Sequence, residues 1–194
     1  MSEQPLILAS SSPFRRELLA RLQLPFDSIS PDIDESRQPG EAATDYVSRL
    51  ALEKAAAIAD EHPQAIIIGS DQCALLDGEI LGKPGNHDRA MQQLRNARGK
   101  EVVFFTGLAV VCHATNLQLV DCAEYRVGFR QLDDTQLERY LATEQPYNCA
   151  GSFKSEGYGI TLFSHMAGDD PTSLIGLPLI RLTSMLEQAG LRVV

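Results

Sequence analysis

No stretch of this sequence stays apolar for the roughly 18–20 residues that a bilayer crossing needs, and its start, Met1-Ser2-Glu3-Gln4-Pro5, lacks the basic region that opens a signal peptide. A cytoplasmic protein without membrane contact is the expectation. Cysteine is sparse: Cys73, Cys112, Cys122 and Cys149 form no CxxC pair. Zinc and dithiol chemistry therefore lack their spacing, and reduced, mostly buried thiols are expected. The histidines His62, His87, His113 and His165 show no ligand spacing and no nucleophile partner, which leaves a Ser-His-Asp or zinc hydrolase without support. Basic residues are in deficit, 17 Lys and Arg against 26 Asp and Glu, for a net charge of -9. Proteins that live on DNA or RNA depend on basic faces, so a nucleic acid polymer is not an expected partner. A nucleotide is compatible with this balance if Lys and Arg gather locally, together with a divalent cation. Repeats, linkers and low-complexity tracts are absent.

What remains is an ordinary globular composition, 44% hydrophobic and 22% charged over 194 residues, enough for one domain spanning 1–194 with room for two lobes. The run Leu6–Ala9 followed by Ser10-Ser11-Ser12-Pro13 and an amphipathic stretch to Leu22 predicts strand, loop and helix, with Ser12 as N-cap and Pro13 at the first helical position. A second strand is expected at Phe26–Ser30, and a helix at Asp45–Glu61 with the stripe Val47, Leu50, Ala51, Ala55, Ile58. Ala65–Ile68 reads as a buried strand ending in Gly69-Ser70-Asp71. Asp77-Gly78 between two apolar runs predicts a tight hairpin. Further helices are expected at Asn86–Asn96, Asp133–Thr143 and Pro178–Ala189, and long strands at Val102–His113 and Leu117–Phe129. Gly151–Pro178 is rich in glycine and polar residues. Helices alternating with strands, around a central meander, predict a mixed, mostly wound α/β sheet with helices on its faces. The long strands could pair within the chain or lie at a homodimer interface, and both options stay open.

Several residues break local rules. Arg15 and Arg16 stand in the first turn of a helix, where the dipole disfavours cations; an anion held there by backbone N–H groups, serine hydroxyls and guanidinium would reverse the sign. A plain capped helix with solvated arginines is the competing account. The Walker glycines and the Gly-Lys-Ser/Thr ending are missing. Lys54 falls on the apolar stripe of its own helix, either snorkelling along its edge or aimed at a phosphate. Asp71, at the carboxyl end of an apolar strand, occupies the place where open α/β sheets collect ligands, and its carboxylate suits a metal ion or a water proton; the alternative is a turn cap. Lys83 in Gly82-Lys83-Pro84 follows the hairpin. Asp32, Asp34 and Glu35 supply oxygen ligands of the kind Mg²⁺ uses, or form a solvated loop. In Cys149–Gly157, glycines beside Lys154 and Glu156 either read a polar ligand or belong to an ordinary surface loop.

Taken in order, Leu6–Ser10, Ser12-Pro13, Arg15-Arg16, Leu18-Leu19, Asp34-Glu35, Glu53-Lys54-Ala55, Gly69-Ser70-Asp71, Gly82-Lys83-Pro84, Thr106-Gly107, Ala150-Gly151 and Gly176-Leu177-Pro178 resemble the Maf family of nucleoside triphosphate pyrophosphatases over nearly the whole chain. The resemblance implies a Maf-type α/β fold with an active-site cleft at the sheet mouth. It also implies hydrolysis of the α–β phosphoanhydride assisted by Mg²⁺ or Mn²⁺. On matching positions, Asp71 is implied as the catalytic carboxylate, Ser10, Arg15, Lys54 and Lys83 as triphosphate contacts, and Glu35 with Asp71 as metal ligands. Whether Asp71 serves as base or as metal ligand stays open.

Phe14, Gln72 and Glu156 occupy the positions by which the family divides according to base. They resemble the branch acting on 7-methyl-GTP, although that branch typically carries Trp where this chain has Phe14. The cationic 7-methylguanine ring would stack on Phe14 with about 0.5–2 kcal/mol of cation–π attraction, and Glu156 would accept from the guanine N1–H and amino group. The weaker π face of Phe implies looser selectivity than Trp. Hydrolysis of pyrimidine triphosphates (dTTP, UTP or a modified base) is one alternative. A nucleotide-binding regulator of cell division without significant turnover is another.

Overall fold

The alternation of apolar residues in strand β1 (Leu6–Ala9) sends them to two different cores. In the computed structural model of the chain, which describes residues 4–194, Leu6 and Leu8 pack with Leu18 and Leu19 of helix α1 (Pro13–Ala20) and with Leu182 and Leu186 of α6 (Leu179–Gln188). Ile7 and Ala9 pack on the other face with Ala51, Ala55 and Ile58 of α2 (Ala43–Glu61). Burial on both faces is what a parallel strand with helices on either side requires. Met1, Ser2 and Glu3, part of the start that lacks the basic region of a signal peptide, lie outside the described residues.

The chain divides into two compact units, the first running up to Gln72 and adding Thr106–Ala123 and Asp170–Val194, the second comprising Cys73–Phe105 and Glu124–Asp169. In the first, β1 pairs in parallel with β2 (Asp27–Ile29) and with β3 (Ile66–Leu76), in the register Leu8↔Ser28 and Leu8↔Ile68. Among the described residues the sheet has seven strands in the order β2-β1-β3-β5-β6-β7, where β5 is Glu101–Cys112, β6 is Leu117–Phe129 and β7 is Phe163–Ala167; β4 (Glu79–Leu81) pairs with β3. The mixed, helix-flanked α/β sheet expected from sequence is therefore present.

Two glycines bring α2 onto the sheet. A Cβ on Gly69 would stand 2.0 Å from the Ala51 carbonyl oxygen, and one on Gly107 would stand 2.1 Å from that of Val47. No side chain fits either place, so the helix backbone lies directly on β3 and β5 and carries Lys54 to the strand that holds Asp71.

One expectation is corrected here. Asp71 does not end its strand, because β3 continues to Leu76. Parallel pairing with β1 stops at Ala9↔Gly69, after which β3 takes β4 as an antiparallel partner through Ala74↔Leu81. Asp71 thus lies just past the carboxyl end of the parallel pairing, on a strand that changes partners rather than terminating.

In the second unit, Asp77 (φ 52°) and Gly78 (φ 86°) make the two-residue turn between β3 and β4, with the positive φ at both positions that right-handed strand twist favours. Helix α3 (His87–Ala97) is capped by Asn86, and α4 (Asp134–Glu144) by a reciprocal Asp133/Gln136 box. The segment Gly151–Pro178, rich in glycine and polar residues, contains β7 and, within the first unit, a short helix α5 (Pro171–Ile175). Strand β7 pairs antiparallel with the end of β6 across a register shift at Gly128/Phe129. Phe104, Phe129, Phe153 and Phe163 form edge-to-face contacts with centroids 4.9–5.6 Å apart, a geometry the aromatic quadrupole favours. No described helix is long and apolar enough to cross a membrane.

Candidate active site

Lys54 is 6% exposed, and its ammonium is not left to solvent. Its Nζ lies 2.7 Å from Asp71 Oδ1 and 2.8 Å from Glu35 Oε1. The close packing of α2 over Gly69 explains the first contact. The second comes from the loop before α2, where the Tyr46 hydroxyl of α2 donates to the Glu35 carbonyl at 2.9 Å. Of the three acidic loop residues, Glu35 is the one paired with Lys54. Asp34 instead accepts from Ser36 N at 2.9 Å, and its hydrogen bonds to Ser36 hold its carboxyl below the usual range. Asp32 is exposed.

At the start of α1, the Ser10 Oγ accepts from Ser12 N at 3.1 Å and the Ser12 Oγ accepts from Arg15 N at 3.4 Å. Ser10 is buried, and a hydroxyl that accepts retains its own hydrogen for donation. Arg15 turns back into the unit, its Nε donating to the Gly176 carbonyl at 2.8 Å, while Arg16 is exposed. Burial pulls the Arg15 guanidinium below its ordinary pKa, and the negative charges of Asp71 and Glu35 oppose that pull. Arg15, Lys54, Glu35 and Asp71 are thus one electrostatic group of two cations and two anions. Phe14 is partly exposed, at 36%.

The neighbours of Asp71 are held firmly. Ser70 Oγ lies 2.8 Å from the Gly107 carbonyl and 3.0 Å from that of Gly176. The Gln72 amide nitrogen donates to the carbonyls of Ser173 and Leu174 and to Thr106 Oγ1 at 2.8–3.1 Å. Gln72, expected to read the base, therefore uses its amide nitrogen to secure α5. Ser70, Thr106 and Ser173 carry no sequence signal for this work, because their partners lie 34 to 106 residues away.

Lys83 and Glu156 belong to the second unit. Lys83 is exposed in the turn after β4, whose Gly82 carbonyl accepts from Gln93 Nε2 and whose Gly85 N–H donates to the Tyr147 carbonyl. Glu156 is also exposed, one oxygen accepting from the Ser155 hydroxyl at 3.3 Å. Burial pushes the Cys149 thiol up; Lys154 and Lys83 counter that shift, and Glu156 and Glu144 reinforce it. These four charges therefore share one neighbourhood. Glu144, which pairs with Lys154 at 3.2 Å and accepts from Tyr158 N at 2.8 Å, was not evident in the sequence.

The donor set suits a hard divalent cation. Asp71 Oδ1 and Glu35 Oε1 converge on the one point now taken by the Lys54 ammonium. Among the described residues no group of three or more His, Cys, Asp or Glu side chains gathers as a metal cage. Mg²⁺ characteristically takes one or two carboxylates and completes its shell with water and substrate phosphate. Two convergent carboxylates fit that pattern.

The family model described as Maf-like protein matches residues 5–189. A Pseudomonas aeruginosa protein named 7-methyl-GTP pyrophosphatase is 56% identical over 97% of this chain and 98% of its own. Proteins of the same name from Pseudomonas fluorescens and Albidiferax ferrireducens are 59% and 52% identical, covering 96% and 98% of this chain and 97% and 96% of theirs. The solved structure of the Staphylococcus aureus Ham1 protein superposes with a TM-score of 0.53 over 95% of this chain and 99% of its own, at 12% identity. That likeness is one of fold.

Proposed function

The chain belongs to the Maf family, and from that premise we propose that it is a nucleoside triphosphate pyrophosphatase cleaving 7-methyl-GTP to 7-methyl-GMP and pyrophosphate in the cytoplasm. The observation that carries the chemistry is the convergence of Asp71, Glu35 and Lys54 beside Arg15. Two cations against two anions leave this group neutral. A triphosphate brought to it needs further positive charge, which Mg²⁺ or Mn²⁺ held by Glu35 and Asp71 would supply by neutralising the phosphate oxygens.

The chain's own residues do the rest. Lys54 holds one oxygen of Asp71 and orients that carboxylate, and the other oxygen accepts the proton of the attacking water; the cation would share the two carboxylates with the ammonium rather than displace it. Water oxygen adds to phosphorus, the α–β anhydride bond breaks, and pyrophosphate departs with its electron pair. Arg15, its guanidinium plane held through Nε by Gly176, and the Ser10 hydroxyl bind phosphate oxygens and meet the charge that develops on the leaving group. Roles for Lys83 in phosphate contact and for Phe14, Gln72 and Glu156 in base choice rest on the family resemblance.

With Mg²⁺ or Mn²⁺ present, purified protein offered 7-methyl-GTP, GTP, dTTP and UTP in parallel is expected to release pyrophosphate fastest from 7-methyl-GTP. A preference for dTTP or UTP keeps the reaction and discards the base assignment. Tight nucleotide binding without turnover on any of the four would make the chain a nucleotide-binding regulator instead.

The base assignment has its own test. Glu156→Gln exchanges a two-oxygen acceptor for one that accepts through a single oxygen. The KM for 7-methyl-GTP should rise about tenfold, the scale of one charge-assisted hydrogen bond, with kcat within about twofold and UTP kinetics unaltered. Equal losses on both nucleotides would remove Glu156 from base recognition.

A further inference from the structure

Asp170 is 3% exposed, and among the described residues no Lys or Arg pairs with its carboxylate. A buried charge without a cation is costly, so what satisfies it is informative. Oδ1 accepts from Thr172 N at 2.9 Å and from the Thr172 hydroxyl at 2.6 Å, and Oδ2 accepts from Ile180 N at 2.8 Å. The Thr172 oxygen in turn accepts from Leu179 N at 2.9 Å. Asp170 is thus the N-cap of α5 and, from a distance, caps α6 as well. Helix α6 needs this because its own N-cap residue is Pro178, which makes no side-chain capping bond.

Fixing the starts of both helices fixes the chain between them, Gly176-Leu177-Pro178. Gly176 has φ 122°, a conformation that glycine adopts without strain. Its carbonyl receives both Arg15 Nε and the Ser70 hydroxyl, the latter on the residue before Asp71. The two helix starts that Asp170 fixes are therefore joined through the chain to one carbonyl that sets the plane of a guanidinium.

We propose that Asp170 is a positioning residue for Arg15, acting through the Gly176 turn to aim the guanidinium at a bound phosphate chain. This rests on the reading of Arg15 as a phosphate contact in a pyrophosphatase. Asp170→Asn keeps the volume but sets an amide N–H against the Ile180 N–H on one side, loosening the knot without emptying it. Thr172→Val removes the second member of the same knot with almost no change of shape.

The test is a double-mutant cycle on the full chain, with inorganic pyrophosphate as the probe and its Kd measured by calorimetry, so that no turnover is required. Asp170→Asn and Thr172→Val should each weaken pyrophosphate binding about tenfold in the wild-type background, and by less than about twofold in the Arg15→Met background, as expected for residues of one network. Thermal melting of every variant is recorded beside it, because a merely structural role lowers Tm and raises Kd alike in both backgrounds. Equal weakening with and without Arg15, in either knot variant that folds, overturns the proposal, and so does a wild-type protein that binds no pyrophosphate. A protein that shows the expected coupling but cleaves no triphosphate retains the positioning role and loses the pyrophosphatase reading.

Discussion

Asp71→Asn is expected to lower kcat for 7-methyl-GTP by about a thousandfold, within the ~10²–10⁴ that a positioned proton acceptor contributes. The substitution is nearly isosteric and leaves an amide oxygen to face the Lys54 ammonium, now 2.7 Å from Asp71 Oδ1. What disappears is the negative charge and, with it, both proposed uses of the carboxylate: taking a water proton and contributing to a cation site. The strand should hold its place, because Ser70 and Gln72 on either side are hydrogen-bonded to the carbonyls of Gly107, Ser173, Leu174 and Gly176. Weakening one charged hydrogen bond costs about 1–3 kcal/mol, a Tm loss of about 2–12 °C at this chain length. Pyrophosphate release and thermal melting read the two effects separately. Turnover within tenfold of wild type would show that the reaction does not depend on Asp71.

Whether a feature could be read from the sequence depended on whether its cause was local. The start of α1 was legible because Ser12 and Pro13 act within one turn, and the β3–β4 hairpin because Asp77-Gly78 supplies both positive φ angles. The period of α2 placed Lys54 on the buried stripe correctly. The same stripe could not name its partners, since Asp71 and Glu35 reach Lys54 only after Gly69 has let the helix down onto the strand. The full length of β3 was hidden for a similar reason. Gly69-Ser70-Asp71 looks like a strand end locally, and only the change of partner from β1 to β4 carries it on. Helix α5 is five residues long and β7 is largely exposed, so neither shows enough periodicity to stand out from a Gly-rich stretch. Arg15 stands out in the sequence as a cation at the wrong end of a helix dipole. Its answer, the Gly176 carbonyl, lies 161 residues away.

Lys54→Met tests the cation site from the opposite side. Methionine preserves most of the apolar stem in a helix packed closely on the sheet, and deletes only the ammonium. Glu35 and Asp71, which now converge on Nζ at 2.8 and 2.7 Å, would face each other with no cation between them. Removing one member of a fully buried pair costs about 3–5 kcal/mol; with the Glu35 side chain 59% exposed, solvent screening reduces the expected loss to about 1–3 kcal/mol. The instructive effect is the response to metal. In the wild type a divalent cation competes with an ammonium already seated between the carboxylates, whereas in the variant it meets two carboxylates that only Arg15 still offsets. Mn²⁺ should therefore raise the Tm of Lys54→Met by several degrees more than that of the wild type, since a ligand's stabilisation of the folded state grows with the logarithm of its concentration over Kd, and so with tighter binding. Catalysis should still fall, by about a hundredfold in kcat/KM, because a metal that replaces the ammonium cannot restore a fixed hydrogen bond that orients Asp71. Tighter metal binding with slower turnover would separate the two roles of this cluster. A variant that gains no more from Mn²⁺ than the wild type would mean that Glu35 and Asp71 do not form the cation site, and that their convergence serves only to bury Lys54.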